Sequence, residues 1–244
     1  MYDCETSPVT AYVFQTGTQY IGANQLLSHT KVICVSYRFD YWPTGKVKHL
    51  KWDSKQDDKS LVKKFAKIAE KADYIVGHNG DGFDKKTLNA RLAYHRLPTI
   101  SHLNTEDTLK QVRREFKLPS YRLDYLCKYF DLDGKLSTSS SLWKDVTFKN
   151  CRKSLAKMVE YCDNDTLILS ELFERLKPYI KLKYRYSAAT DNSECCPKCG
   201  NTEYRKYGMY YSITGKFQKY MCKSCSHVFR DGCNLNTSGK KLKR

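Results

Sequence analysis

The acidic residues that most constrain the fold lie in three short segments, far apart along the chain. Asp3 and Glu5 form the first segment, Asp84 belongs to the second and Asp165 to the third. Side chains at positions i and i+2 of a strand point to the same face, so Asp3 and Glu5 would project together. Positions i and i+4 of a helix lie one above the other, so Tyr161 would lie beside Asp165. The pattern therefore favours a fold that brings these segments to one point.

Carboxylates gathered at one point repel each other strongly unless divalent cations neutralise them. Hard oxygen ligands of this kind suit Mg²⁺ or Mn²⁺. Asp3, Glu5, Asp84 and Asp165 are thus candidate ligands of two such ions, an arrangement that can hydrolyse phosphodiester bonds. Taken singly, each segment has a plainer interpretation as a chance pair on a strand, a helix start or a solvated helix face.

The order and separation of the segments resemble the DEDD superfamily of 3′-to-5′ exonucleases, in the branch whose third motif carries Tyr instead of His. The matching residues are Asp3 and Glu5, Asn79 with Phe83-Asp84, and Tyr161 with Asp165. Glu160 stands where the His branch would have its base. The resemblance covers roughly residues 1 to 180 and implies an α/β, RNase H-like mixed sheet flanked by helices.

The resemblance also implies a two-metal mechanism, in which one Mg²⁺ or Mn²⁺ ion activates the attacking water and the other stabilises the leaving 3′-oxygen. A tyrosine hydroxyl has a pKa of about 10, so Tyr161 would orient the water by a hydrogen bond and would not act as a base. Asn79 would orient substrate or water. We expect His78 to be structural and the glycines Gly80 and Gly82 to form a turn.

The predicted elements fit this fold. Only two residues precede Asp3, so we expect either a start upstream of Met1 or a short first strand. Asp107 should cap a helix rather than take part in catalysis. Hydrophobic periodicity predicts antiparallel strands at 11–14, 31–39 and 46–52, a helix at 57–71 crossing to a parallel strand at 74–76, and helices at 83–96, 109–116 and 152–176.

The charge distribution indicates a polyanionic partner. The net charge is +17, and the segment from Tyr179 onward contributes +10 of it, with 14 basic and 4 acidic residues. Lys and Arg release counterions when they bind phosphates, which makes nucleic acid the obvious partner. The alternative is a solvated basic surface without a partner.

The eleven cysteines would suggest disulfides in a secreted protein. The first residues show no signal segment, however, and no apolar run approaches about 18 residues. We therefore expect a soluble, intracellular protein of the cytoplasm or nucleoid that has no membrane partner. Its thiols should be reduced or bound to metal.

Four of these cysteines form a paired Cys-x-x-Cys frame: Cys196, Cys199, Cys222 and Cys225. Each pair can hold one side of a tetrahedral Zn²⁺, so the frame predicts one structural zinc ion. Scattered reduced thiols or a redox pair are the alternatives. Cys195, Cys233 and His227 are left over, and His227 is a conceivable substitute ligand. The module resembles zinc ribbons such as those of some transposases.

Aromatic and basic residues alternate between the two cysteine pairs, and so small a module cannot bury many rings. Exposed rings beside Lys and Arg can stack with unpaired bases, so we expect single-stranded nucleic acid to bind here. The candidate contacts are Lys206, Tyr210, Lys216, Phe217, Lys219 and Tyr220. The predicted domains are an exonuclease domain at 1–180, a linker at 181–193, the ribbon at 194–233 and a basic tail at 234–244.

The sequence thus predicts a metal-dependent 3′-to-5′ exonuclease, acting on single-stranded DNA, with an appended zinc ribbon. A structure-specific endonuclease and a non-catalytic nucleic-acid-binding adaptor are the rival interpretations. The motifs do not distinguish DNA from RNA, because none of them reports on the 2′-hydroxyl. A replication or repair protein could supply processivity.

Overall fold

A computed structural model of the chain describes residues 1–132, 138–183 and 194–236. The chain divides into two compact units, Met1–Phe173 and Glu174–Arg244. Most of the predicted linker, at 184–193, and most of the predicted tail, at 237–244, lie outside the described residues. Among the helices of the described ranges, none is both long and apolar enough to cross a membrane.

Within the described ranges the first unit contains seven strands and six α-helices, and the last three residues of the sixth helix belong to the second unit. The strands are β1 (Tyr2–Thr6), β2 (Thr10–Ala11), β3 (Leu26–Ser28), β4 (Val32–Tyr37), β5 (Lys48–Lys51), β6 (Ile75–Gly77) and β7 (Thr105–Asp107). The helices are α1 (Lys59–Ala69), α2 (Asp84–Tyr94), α3 (Thr108–Glu115), α4 (Leu123–Tyr129), α5 (Ser141–Phe148) and α6 (Arg152–Leu176).

Strand β4 is the centre of an antiparallel sheet of order β1-β4-β5. Asp3 pairs with Ser36 and Glu5 with Cys34 across the β1–β4 ladder. The residues of β4 from Val32 to Ser36 are fully buried, as expected of a strand covered on both faces. Strands β6 and β7 form a parallel pair that is connected through α2, the short crossover that parallel strands require.

Two hydrophobic clusters receive side chains from β4. One cluster holds Val32 and Val35 with Phe65 of α1, and the other holds Ile33 with Met158 of α6. Each fully buried side chain of this size contributes roughly 2 kcal/mol through the apolar area removed from water. The apolar stripe predicted for residues 152–176 therefore faces the hydrophobic core. The predicted helix has the same bounds as α6.

Two elements differ from the sequence prediction. Residues 11–14 were predicted to be a strand beside β1, but only Thr10–Ala11 is extended and it pairs solely with β3. The alternating pattern misled because Phe14 is 92% exposed, so its apolar side chain faces solvent instead of a core. The sequence also predicted that α1 is the crossover between parallel strands. The parallel pair is instead formed by β6 and β7, which are connected through α2.

A buried ion pair joins β4, α1 and α2. Asp58, which precedes α1, is fully buried and accepts hydrogen bonds from the Arg91 guanidinium at 2.7 and 2.9 Å. It also accepts from the backbone N–H of Val32 at 2.9 Å and contacts His95 Nε2 at 2.7 Å. Burial raises the pKa of Asp58, but the hydrogen bonds from Arg91, His95 and Val32 outweigh burial and lower the pKa overall. The Arg91 cation already neutralises this carboxylate, so we interpret the group as structural.

We expect Asp58→Asn to lower the free energy of unfolding by about 3 to 5 kcal/mol at pH 7, because it leaves the Arg91 cation buried without its counter-ion. A carboxyl whose pKa is lowered in the folded state stabilises above its unfolded pKa, about 3.9, and loses that effect as the pH falls through the folded pKa. The difference between wild type and variant in urea unfolding should therefore shrink below about pH 4.

Asp57→Asn is the matched control, since the Asp57 side chain is 54% exposed and lies 4.0 Å from His95. It should change the stability by less than about 0.5 kcal/mol, as is usual for a surface substitution. Equal destabilisation by the two variants would contradict the assignment of a buried ion pair to Asp58.

The second unit contains a three-stranded antiparallel sheet of order β8-β9-β10. Its strands are β8 (Tyr204–Ser212), β9 (Gly215–Cys222) and β10 (Val228–Arg230). The β8–β9 hairpin separates the two cysteine pairs, an arrangement compatible with a zinc ribbon.

Candidate active site and zinc site

Strand β1 positions the first acidic pair, Asp3 and Glu5. Its side chains alternate, so that Tyr2 and Cys4 are buried in the core while Asp3 and Glu5 are half-buried on the opposite face. The two carboxylates therefore emerge together from the edge of a strand whose other face is fixed by packing. Tyr2 packs against the Phe65 ring, with the ring centroids 5.6 Å apart.

Helix α6 brings Asp165 to the same point. The Cys162 thiol lies 3.6 Å from Asp3 Oδ2, and burial raises the pKa of this thiol well above its ordinary value, so it stays protonated. Asp165 follows three residues later on the same helix. One carboxylate oxygen from each of Asp3, Glu5 and Asp165 lies within 4.8 Å of the others. Three oxygens this close would be neutralised best by a hard divalent cation.

Asp84 is the first residue of α2, where the helix dipole favours a negative charge. It is buried, and its Oδ1 accepts a hydrogen bond of 3.1 Å from the backbone N–H of Cys4. Burial, with a smaller contribution from the charge of Asp107, raises the pKa of Asp84, although hydrogen bonds from Cys4 oppose the shift. Asp84 is thus held against β1 but is not part of the close group of three carboxylates.

Ring packing holds the Tyr161 side chain in place. The side chain is buried, and its ring meets that of Trp143 in α5 edge-on, with 6.2 Å between the centroids. This packing fixes the Tyr161 ring on α6, one helical turn before Asp165. Helix α5 was not predicted from the sequence, so this contact was not anticipated.

The loop between β6 and α2 carries Asn79 at a positive φ of 64°, a conformation that Asn tolerates better than most residues. Its carbonyl accepts from the N–H groups of Gly82 and Phe83 at 3.0 and 2.9 Å. A Cβ on Gly82 would lie 2.5 Å from Asn79 Oδ1. Gly82 is therefore more than a turn residue, because its lack of a side chain leaves room for the Asn79 amide.

Asp107 organises this loop. Its carboxylate caps α3 as predicted, accepting from the backbone N–H of Leu109 at 3.0 Å. The same carboxylate accepts from the N–H groups of Asn79 and Asp81, at 3.0 and 3.2 Å. The sequence showed the cap, but the second role joins residues that lie far apart in the chain.

His78 has a structural position, in line with the prediction. Its Nε2 donates to the carbonyl of Tyr121 at 2.9 Å, because a carbonyl can only accept. Its Nδ1 lies 2.9 Å from the Thr108 hydroxyl. His78 thus links the β6–α2 loop to α3 and to the segment before α4.

A cleft of about 510 Å³ lies beside the acidic group. Its lining includes Asp3, Asn79 and Asp165 together with Arg113, Tyr121, Arg122 and Asp124. Clefts of a few hundred Å³ can accept a ligand of nucleotide size. Neither arginine was predicted from the sequence, because no motif distinguishes them from the many other basic residues of the chain.

In the second unit, the sulfur atoms of Cys196, Cys199, Cys222 and Cys225 all lie within 4.8 Å of one another. Cys196 and Cys225 are 3.7 Å apart, and Cys199 and Cys222 are 3.6 Å apart. A tetrahedron with Zn–S bonds of about 2.3 Å has sulfur–sulfur edges of about 3.8 Å. The four thiols therefore fit a zinc ion closely, and their separations are too long for disulfides.

Two equivalent turns shape this group. The N–H of Gly200 donates to the carbonyl of Cys196 at 2.9 Å, and that of Ser226 donates to the carbonyl of Cys222 at 3.1 Å. Gly200 and Ser226 both have positive φ, 74° and 55°. Backbone N–H groups within each turn point at the first sulfur of the pair and favour its thiolate, against burial, which raises the pKa of both thiols. The N–H groups prevail at Cys222, whose pKa is lowered, whereas burial prevails at Cys196, whose pKa is raised. The His227 ring instead stacks against Phe229.

The six predicted nucleic-acid contacts lie on two faces of the ribbon sheet. Tyr210 and Lys219 share a face with Phe217, whereas Lys206, Lys216 and Tyr220 lie on the other, as the pairing register requires. Phe217 is buried, because the Arg230 guanidinium covers its ring at 4.2 Å. Arg230 also lies 5.2 Å from the Tyr210 ring centroid and was not identified from the sequence.

Comparison with protein families identifies the first unit. Residues 25–177, more than half of the chain, match the family model RNase_H_2, described as the RNase_H superfamily. The chain belongs to the RNase H superfamily. The predicted α/β, RNase H-like fold class is therefore confirmed, and membership supports a nucleic-acid-cleaving function. Asp84, Tyr161 and Asp165 lie within the matched residues, and Asp3 and Glu5 lie before them.

A solved structure is similar over part of the chain. The family B DNA polymerase from the hyperthermophilic archaeon Pyrobaculum calidifontis superposes with a TM-score of 0.48 at 19% sequence identity. The similarity covers 60% of this chain and 22% of the polymerase chain. Among curated proteins, none matches.

Proposed function

We propose that this RNase H superfamily member is a metal-dependent 3′-to-5′ exonuclease that hydrolyses single-stranded DNA. The observation that carries the proposal is the convergence of Asp3, Glu5 and Asp165 at the edge of the cleft, within 4.8 Å of one another. Residues far apart in the chain meet there, and a set of three carboxylate oxygens suits Mg²⁺ or Mn²⁺.

The donor set fits the two proposed ions in different ways. Asp3, Glu5 and Asp165 would hold the first, because their oxygens already lie close together. A second ion would need Asp84, whose carboxylate is hydrogen-bonded to the backbone of β1. When bound, such ions activate water and stabilise the leaving oxygen of a phosphodiester. Asn79 at the cleft would orient the strand through its amide.

Tyr161 would position the attacking water through its hydroxyl. We expect Tyr161→Phe to fold normally, since the phenyl ring keeps the contact with Trp143. Its kcat should fall by about 10²-fold, the low end for a positioned proton-handling group, because the metal ions carry most of the chemistry. Single-turnover rates on a 5′-labelled strand measure this effect. An unchanged rate would assign Tyr161 to packing alone.

The ribbon would bind single-stranded nucleic acid on its own surface. Basic and aromatic side chains are adjacent on its surface, with Lys219 5.8 Å from the Tyr207 ring centroid and Lys216 5.6 Å from that of Tyr211. Tyr207 and Tyr211 are exposed, so their rings can stack on unpaired bases. A replication or repair protein could act with such an enzyme.

Digestion of end-labelled single strands of DNA and RNA, with Mg²⁺, with Mn²⁺ and with EDTA, tests the proposal. A 5′-labelled strand should give a ladder that shortens from its 3′ end only when metal is present. A 3′-phosphorothioate terminus should slow the reaction. Internal cuts in a strand with a blocked 3′ end would indicate an endonuclease, and binding without hydrolysis in any metal would indicate an adaptor.

A further inference from the structure

The cleft is lined by two arginines whose guanidinium groups have no carboxylate partner among the described residues. Arg113 and Arg122 are exposed and line the cleft, and within the described ranges neither guanidinium belongs to an ion pair. Other arginines of this unit are engaged: Arg91 is paired with Asp58, and Arg114 lies 2.8 Å from Glu115. The cleft thus combines the carboxylates of Asp3, Asp165 and Asp124 with two guanidinium groups that form no ion pair among the described residues.

Tyr121 precedes Arg122 in the chain, and its ring contacts Arg113 in the lining of the cleft. The Tyr121 hydroxyl donates to the carbonyl of Phe116 at 3.2 Å, and its own carbonyl accepts from His78. The Arg113 guanidinium lies 5.5 Å from the centroid of the Tyr121 ring, within reach of a cation–π interaction. Tyr121 is therefore held through its hydroxyl and its backbone carbonyl, and its ring contacts the Arg113 guanidinium without neutralising the charge.

We propose that Arg113 and Arg122 bind the phosphates on the 5′ side of the scissile bond and thereby select a polymeric strand over a dinucleotide. This inference rests on the proposed function, in which the scissile phosphate lies at Asp3, Glu5 and Asp165. In a 3′-to-5′ exonuclease all other phosphates of the strand lie on the 5′ side of that bond. Guanidinium groups match phosphate geometry, and phosphate contacts fix the register of a strand. The two residues would position the substrate without touching the reacting atoms.

The test compares kcat and KM for a dinucleotide and a tetranucleotide in the full chain. Arg113→Gln and Arg122→Gln should each lower kcat/KM for the tetranucleotide by about tenfold, mainly through KM, because each removes a charge-assisted hydrogen bond. The dinucleotide has no phosphate 5′ of its scissile bond, so its kcat/KM should change much less. Arg114→Gln is the matched control: it is adjacent, removes the same charge and does not line the cleft.

A second measurement does not depend on hydrolysis. In an Asp165→Asn background, anisotropy of a labelled tetranucleotide gives the affinity at several salt concentrations. Each cleft variant should reduce the slope of log K against log salt by about 0.7, the value expected for one phosphate contact in a single strand. Arg114→Gln should leave the slope nearly as it is.

The outcomes separate the two proposals. If both cleft variants match Arg114→Gln in KM and in salt dependence while the protein remains folded, the assignment of Arg113 and Arg122 is overturned. If the wild type hydrolyses no strand but the cleft variants still weaken tetranucleotide binding, the exonuclease proposal fails and the phosphate site stands. Equal losses for the dinucleotide and the tetranucleotide would place the arginines at the scissile phosphate and overturn the selection of longer strands.

Discussion

Asp165→Asn should abolish strand hydrolysis while leaving the protein folded. The substitution keeps the size of a buried side chain but removes one of three carboxylates whose oxygens lie within 4.8 Å. Metal stabilisation of a phosphodiester transition state is worth several kcal/mol, which at about 1.4 kcal/mol per tenfold corresponds to at least about 10³-fold in kcat. Single-turnover rates in saturating Mg²⁺ and Mn²⁺ would measure the loss.

Asp163→Asn is the matched control for this experiment. Asp163 lies two residues earlier on α6, but its carboxylate accepts from the Ser36 hydroxyl at 2.6 Å and contacts His49 instead of the acidic group. An asparagine oxygen can still accept from Ser36. A loss of hydrolysis in both variants, or in neither, would contradict a special role for Asp165.

Asp84→Asn should abolish hydrolysis as well, and it should also change the pH dependence of stability. The pKa of Asp84 is raised in the folded protein, so the folded state binds more protons than the unfolded state. The free energy of unfolding therefore falls as the pH rises past the pKa of Asp in the unfolded chain, about 3.9. The neutral amide removes this penalty. Without divalent metal at pH 7, Asp84→Asn should therefore unfold at a higher temperature than wild type, and the difference should vanish in acid.

Asparagine is the informative substitution at this position. Asp84→Ala would leave the buried N–H of Cys4 without its acceptor, which costs about 1 to 3 kcal/mol and confuses folding with catalysis. The side-chain amide oxygen introduced by Asp84→Asn could still accept that hydrogen bond. An Asp84→Asn protein that is both active and less stable than wild type would contradict the proposed ligand role.

The sequence predicted those parts of the fold that depend on local periodicity. The long stripe of α6 and the i, i+2 alternation of β1 follow from the geometry of a single element, so Asp165 and the Asp3–Glu5 pair could be placed on faces from the sequence alone. The Asp107 cap is likewise local. The strand predicted at residues 11–14 was wrong, because an alternating pattern does not show whether a neighbouring strand is present to pair with it.

Features made by distant residues could not be predicted in this way. The second role of Asp107 depends on contacts with Asn79 and Asp81, and the burial of Asp84 depends on β1. Arg113 and Arg122 look like any surface arginine until the cleft is assembled around them. In the ribbon, the cysteine frame was predictable from spacing, but the division of the aromatic residues between two faces depends on strand register and on the bulge between Lys206 and Met209.

Cys199→Ser should remove the zinc ion and unfold the ribbon. Few side chains of the described ribbon are buried apart from its cysteines, so a hydrophobic core cannot hold so small a unit by itself. Structural zinc supplies about 10 to 16 kcal/mol of apparent binding free energy in comparable modules. Elemental analysis should find about one zinc ion per wild-type chain and none in the variant.

Cys233→Ser provides the control, because Cys233 is exposed and lies outside the four-thiol group. This variant should keep its zinc. In Cys199→Ser, binding to long single strands should weaken and depend less steeply on salt, since fewer phosphates are neutralised once the ribbon surface is lost. Hydrolysis of a dinucleotide should persist, because the four proposed catalytic carboxylates all belong to the first unit. If zinc loss abolished dinucleotide hydrolysis while the first unit stayed folded, the ribbon would have to contribute to the active site, and the two-module account of this protein would be wrong.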